Sequence, residues 1–84
     1  MTTDVDAIRR FITNEFLFDF GDSVTEQSNL YQLGLIDSYG FVELVRFLEA
    51  EYGITFTEDE LVSDALQSLA SIERIVRVKV DARG

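Results

Sequence analysis

Residues 34–53 read "GLIDSYGFVELVRFLEAEYG", and this stretch decides what the chain folds into. Phe41, Leu44, Val45, Leu48 and Tyr52 recur at three- and four-residue steps, the spacing that puts side chains on one face of an α-helix. Asp37 and Ser38 stand just before that run. Both are favoured caps, because their side-chain oxygens accept from the orphan N–H groups of a first turn. Gly53 supplies a left-handed stop. The stretch therefore predicts a helix from Asp37 or Ser38 to Tyr52.

Working outward, Val5, Ile8, Phe11, Ile12 and Phe16 share one helical face, with Asp4 and Asp6 at its positive end, and predict a first helix over 4–17. A long connection from Asp19 to Asp37 carries Gly21, Asp22, Ser23, Ser28, Asn29 and Gly34, and a connection of that length in a small domain is usually functional. Within it Leu30, Leu33, Leu35 and Ile36 are candidates to pack down onto the bundle. Thr57 with Glu60 three residues on is a capping box, which opens a short helix before Ser63 and Asp64 interrupt it. A last helix takes Ser68 as its cap and buries Leu69, Ile72, Ile75 or Val76, and Val80. "VRVKV" alternates like a strand but has no partner strand, and an isolated strand is not stable, so it reads as the end of that helix. The expected fold is all-α: a small four-helix bundle with three longer helices and one short third helix, in a single domain spanning 1–84.

Composition bounds the chemistry. The 84 residues are 46% hydrophobic, with seven Phe and three Tyr, enough for one modest core. A chain of this size buries only about 60 to 65% of the surface that its unfolded state exposes. Sixteen acidic against seven basic residues give a net charge of -9, which disfavours nucleic acid or an anionic membrane as partner and favours a basic protein surface. There is no Cys and no His, hence no disulfide, thiolate or imidazole ligand, and no D-x-D-x-D-G run to hold calcium. Neither a signal peptide nor an apolar run of membrane-spanning length is present, so a cytoplasmic monomer is expected.

Ser38 is then the open question. As a hydrolase nucleophile it would need a base, and Lys79 is the sole candidate for a Ser-Lys pair, remote in sequence. As a plain cap it would need no further explanation. The context adds weight to a third reading. Gly34 permits close approach of the preceding loop, Leu35 and Ile36 anchor it, Asp37 holds the helix end, and the Ser38 hydroxyl is left outward at a helix N-terminus, a favourable place for a phosphate. The phenylalanines, Phe11, Phe16, Phe18, Phe20, Phe41, Phe47 and Phe56, read as core rather than as a ligand pocket, since aromatics at helical spacing supply much of any small core.

Residues 30–54, "LYQLGLIDSYGFVELVRFLEAEYGI", resemble the segment of acyl and peptidyl carrier proteins around the phosphopantetheine-bearing serine. The matching residues are Leu33-Gly34, Asp37-Ser38, Tyr39, Val42-Glu43-Leu44-Val45, Leu48-Glu49 and Tyr52-Gly53, and the flanking helices extend the resemblance over nearly the whole chain. It implies that Ser38 carries 4'-phosphopantetheine, transferred from coenzyme A by a phosphopantetheinyl transferase, with Asp37 positioning the serine and neither residue catalytic. It implies a thioester-bound cargo, an acyl- or aminoacyl-loading ligase or acyltransferase, and downstream synthase or tailoring enzymes of a fatty acid, polyketide or nonribosomal peptide pathway. The style of the motif is similar to stand-alone carriers of specialised pathways. The thiol that the sequence lacks arrives on the arm.

On the second helix the core face turns Tyr39, Val42, Glu43, Arg46, Glu49 and Ala50 away, and the resemblance makes Tyr39, Val42, Glu43, Arg46 and Glu49 the partner-binding face. Two residues depart from the family pattern: Gly40, where an acidic residue is frequent, and Arg46, where an apolar one is common. The competing reading is an unmodified acidic helical adaptor or inhibitor that binds a basic surface; it accounts for the charge but not for the Asp-Ser placement.

Overall fold

The computed structural model describes residues 6–16, 19–21 and 23–83. Among these the chain forms helices α1 Asp6–Phe16, α2 Ser38–Tyr52, α3 Glu58–Val62 and α4 Leu69–Arg83, with no strand and a 3-10 turn at Asp64–Leu66 between the last two helices. This is the all-α bundle that the periodicity predicts. The outer residues of the expected first helix, 4, 5 and 17, lie outside the described residues.

The three longer helices pack pairwise around one core. Ile8 and Ile12 of α1, Leu44 and Leu48 of α2, and Leu69, Ile72 and Val76 of α4 are fully buried there, joined by Leu30 from the long connection and by Leu66 from the 3-10 turn. Each such side chain contributes about 1.5–3 kcal/mol through the area it removes from water. The phenylalanines pack against this aliphatic centre without entering it, forming a sleeve at its edge. Phe11 stacks on Phe47 with ring centroids 4.2 Å apart, tying α1 to α2, and Phe16 meets Phe11 edge-on at 6.5 Å. Phe18 lies outside the described residues.

Helix ends follow their local chemistry. The Asp37 side chain caps α2, Gly53 closes it at φ 62°, and Thr57 and Glu60 form the reciprocal capping box of α3. Ser68 accepts from the Ser71 N–H at 3.2 Å, so it caps α4 as expected, and "VRVKV" is helical throughout. The 3-10 turn is a departure from the expected pattern: Ser63, predicted simply to interrupt a helix, ends α3 and caps this turn, which drives Leu66 into the core.

The connection before α2 is stitched down. The Ala70 N–H donates to the Glu26 carbonyl and the Leu30 N–H to the Gln67 carbonyl, each at 2.9 Å. The Asn29 side chain accepts from the Tyr31 and Gln32 N–H groups and donates to Gln67. Leu30 and Ile36 are buried as expected and Leu35 packs at the core edge, but Leu33 is 50% exposed. The tight turn closed by Leu33 N–H to Asn29 and Gly34 N–H to Tyr31 points it outward.

Candidate functional site

Asp37 is extended, φ -103° and ψ -174°, and its Oδ1 accepts from the Gly40 N–H at 2.8 Å, while its carbonyl accepts from Phe41. This cap holds Ser38 at the first position of a 15-residue helix, exposed to solvent. Helix geometry leaves the first-turn N–H groups of Ser38 and Tyr39 without an intrahelical acceptor, at the positive end of the helix dipole. Gly34 turns the chain into this site by its left-handed φ of 75°; a Cβ there would meet nothing within 4 Å, so its expected role in close approach is replaced by one of backbone conformation.

Close approach belongs instead to Gly40. It is buried in the first turn of α2, and a Cβ on it would lie 2.5 Å from Phe16 Cε1 and 3.3 Å from Asp37 Oδ1. The departure from an acidic residue at this position thus has a packing cause: the Phe16 ring occupies the space where a side chain would be.

Beside Ser38 runs a groove of about 810 Å³ between α2 and the α3 and 3-10 segment. Its walls are largely apolar, from Ile36, Phe41, Val42, Leu61, Val62 and Leu66, with Tyr31 and Gln67 as polar-tipped members. Periodicity and motif do not single out Tyr31, Leu61, Val62 or Gln67 as site residues. Only Tyr31, an aromatic inside a connection long enough to be functional, carries a local signal.

The residues of the expected partner face separate into two groups. Tyr39, 74% exposed, Val42, 46% exposed, and Arg46 stand outward, and Val62 at 84% adds an apolar neighbour across the groove. Glu43 and Glu49 are only half-exposed. For Glu49 the expectation of a free outward carboxylate is corrected, because Gly53 folds the chain back along α2 and the Phe56 N–H donates to Glu49 Oε2 at 3.0 Å. Across that turn Lys79 of α4 pairs with Glu60 at 2.8 Å and lies over the Phe56 ring. The pairing holds the Glu60 carboxyl below the ordinary glutamate range, first through the Lys79 hydrogen bond and then through the Thr57 N–H. Because α4 carries Lys79 into this contact, it has a partner already and sits apart from the groove that Ser38 lines.

A family model described as the phosphopantetheine attachment site matches residues 19–77. The chain belongs to that family. It is accordingly a phosphopantetheine carrier, a non-catalytic domain whose expected covalent cofactor is 4'-phosphopantetheine and which works with partner enzymes. Among solved structures, the carrier is similar to a chain in one titled "Crystal structure of FAD-dependent dehydrogenase", at 25% identity and a TM-score of 0.66 over 80% of this chain and 94% of that one. No curated protein matches the sequence. Among the described residues no helix is long and apolar enough to cross a membrane.

Proposed function

We propose that Ser38 is the attachment point of the arm and that the carrier moves acyl or aminoacyl thioesters between enzymes of a fatty acid, polyketide or nonribosomal peptide type of pathway in the cytoplasm. The observation that carries this reading is the exposed Ser38 hydroxyl on the first turn of α2, behind the Asp37 cap. A phosphodiester there meets free N–H groups and the positive helix end. In the transfer, the serine oxygen forms a bond to the phosphorus of coenzyme A next to the pantetheine, adenosine 3',5'-bisphosphate leaves, and the hydroxyl proton passes to the transferase or solvent. The Asp37 carboxylate, engaged by Gly40, fixes where that oxygen points by fixing the helix start. Tyr39, Val42, Glu43 and Arg46 form the face on which the transferase and the loading and tailoring enzymes dock, with Glu49 acting beneath it as a brace.

Intact mass before and after incubation with coenzyme A, magnesium and a broad-specificity phosphopantetheinyl transferase tests this, with Ser38→Ala alongside. One added arm that disappears in the variant supports the assignment. An arm that persists in Ser38→Ala moves the site elsewhere, and no added mass on a well-folded sample favours the unmodified acidic adaptor.

The likeness to a chain of comparable length in a structure titled for an FAD-dependent dehydrogenase favours a flavin enzyme that oxidises the tethered cargo as one of the partners. Bleaching of the flavin absorbance by the loaded carrier, but not by the unloaded one, is the expected result; equal bleaching by both removes this partner.

A further inference from the structure

The chain has six arginines and a single lysine, Lys79, with neither cysteine nor histidine. An acyl thioester is an electrophile. A thiolate or an imidazole would draw such a load off the arm, and a lysine amine would take it for good, since the amide that forms is far more stable than the thioester. Arginine takes nothing, because its guanidinium stays protonated and offers no lone pair. Every cationic side chain but one is therefore inert toward the load. Lys79 is the exception, and its surroundings decide whether the load is safe.

Those surroundings hold the ammonium on two sides. Its Nζ lies 2.8 Å from Glu60 Oε1 and 5.3 Å from the centre of the Phe56 ring. Neither partner is loose. The same Glu60 oxygen accepts from the Thr57 N–H at 2.8 Å as part of the capping box of α3, and the Phe56 N–H is fastened to Glu49 Oε2. The Lys79 side chain keeps 19% of its surface exposed, and a hollow of about 410 Å³ lined by Gly53, Ile54, Thr55 and Ala82 opens beside it. A thioester can thus come near. What withholds the nitrogen is its engagement: a paired ammonium has no lone pair, and to attack it must leave both the carboxylate and the ring.

We propose that the Glu60 and Phe56 contacts of Lys79 keep the carrier from acylating itself, so that an activated load survives on the arm between enzymes; this rests on a thioester borne at Ser38. The reaction prevented is aminolysis. The Lys79 ammonium would give one proton to solvent, its nitrogen would bond to the thioester carbonyl carbon, the carbon–sulfur bond would break, and the second proton would pass to the departing thiolate. The arm would return as a free thiol and Lys79 would remain as a neutral amide. One such event loses the load and also removes the ion pair that ties α3 to α4.

The experiment incubates wild type, Glu60→Gln and Arg74→Lys at mildly alkaline pH, each as the holo protein loaded with an acetyl thioester and each as the apo protein with acetyl-coenzyme A in solution, and follows acetyl groups on every lysine by peptide mass. Arg74→Lys adds an exposed amine on α4 at unchanged charge. Glu60→Gln removes the carboxylate but keeps a residue that serves in a capping box, so the far-ultraviolet circular dichroism should not change. In wild type, Lys79 should gain acetyl about tenfold more slowly than the amine introduced by Arg74→Lys, the weight of one charge-assisted hydrogen bond discounted for partial exposure, and Glu60→Gln should bring Lys79 up toward the faster rate. Equal rates at Lys79 and at the introduced amine overturn the proposal, as does a Lys79 rate indifferent to Glu60→Gln. A protein that takes no arm, seen by intact mass, overturns it together with the attachment at Ser38, whereas the apo comparison fails only if Lys79 itself is unguarded.

Discussion

Replacing Gly40 by alanine isolates the contact that sets the start of α2. On propensity alone the change should help, since glycine in a helix costs about 0.5–1 kcal/mol relative to alanine. The structure reverses the sign. The added Cβ would stand 2.5 Å from Phe16 Cε1 and 3.1 Å from Cζ, where carbon atoms rest at about 3.5–4.0 Å, so the ring must retreat by about 1 Å. It cannot retreat alone, because Phe16 leans edge-on against Phe11 and Phe11 is stacked on Phe47. The same Cβ also presses on the Asp37 oxygen that caps the helix. Overpacking of this kind costs about 1–3 kcal/mol, which set against that gain leaves a net loss of up to about 2.5 kcal/mol and a fall in the midpoint of up to roughly 10–20 °C. Thermal and urea unfolding followed at 222 nm would measure it in Gly40→Ala, Phe16→Ala and the double variant. Without the Phe16 ring, Gly40→Ala should become stabilising by about 0.5–1 kcal/mol. A stabilising Gly40→Ala in the wild-type background, or an effect of the same size with and without Phe16, would refute the reasoning.

Glu49→Lys is expected to cost about 1.5–3 kcal/mol in urea denaturation, because it removes the charged acceptor of the Phe56 N–H, whereas Glu43→Lys, with no loop held by its carboxylate, should cost clearly less. Absorbance titration of the protein should show Tyr31 ionising near 12, and Tyr31→Phe should remove that step. Since the folded state then holds a proton that the unfolded state has lost, stability should fall as pH rises from about 10, the ordinary tyrosine value, to 12, and Tyr31→Phe should remove that part of the slope. At the acid end, Glu60 titrates below its ordinary value, so its contribution is present above that value and is lost as pH falls through the lowered one; Lys79→Met should flatten this limb of the midpoint-against-pH curve. Glu73 acts with the opposite sign. Burial raises its pKa, so its protonation adds stability as pH falls, and Glu73→Gln should stabilise the neutral protein.

Features written into a few adjacent residues are legible in the sequence alone. Asp37, Gly53, Thr57 with Glu60, and Ser68 act through bonds to backbone groups at most four residues away, and all of them sit where those bonds require. What lies beyond its reach depends on segments that meet from a distance. Glu49 has the spacing of an outward residue, yet its surroundings are set by a chain reversal that brings Phe56 over it. Leu66 comes just after Ser63 and Asp64, which read as a helix interruption, and its burial is decided by the core rather than by its neighbours. Gly40 reads as an anomaly in a helix until Phe16, from a separate helix, is set against it. The site shows the same division. Ser38 and Asp37 are readable from the motif, while Tyr31 and the far wall of the groove join them only through the packing of α3 beside α2.

The stitching of the connection to the start of α4 also sets a rule for changes of length. Glu26 is fastened to Ala70 and Leu30 to Gln67, and the carbonyl of Leu30 in turn accepts from both Leu35 and Ile36. From Glu26 to Asp37 the chain therefore has no slack. An inserted or deleted residue there must either break a fastening or displace Ser38 relative to the cap and the groove. Upstream, the Gly21 N–H donates to the Val24 carbonyl and, among the described residues, no backbone bond ties residues 19–21 and 23–25 to α4, so extra residues there should cost less, rising with the slow logarithmic entropy of a longer loop. Tolerance of insertions should thus change abruptly within one connection, at the residue where the chain is first fastened to α4.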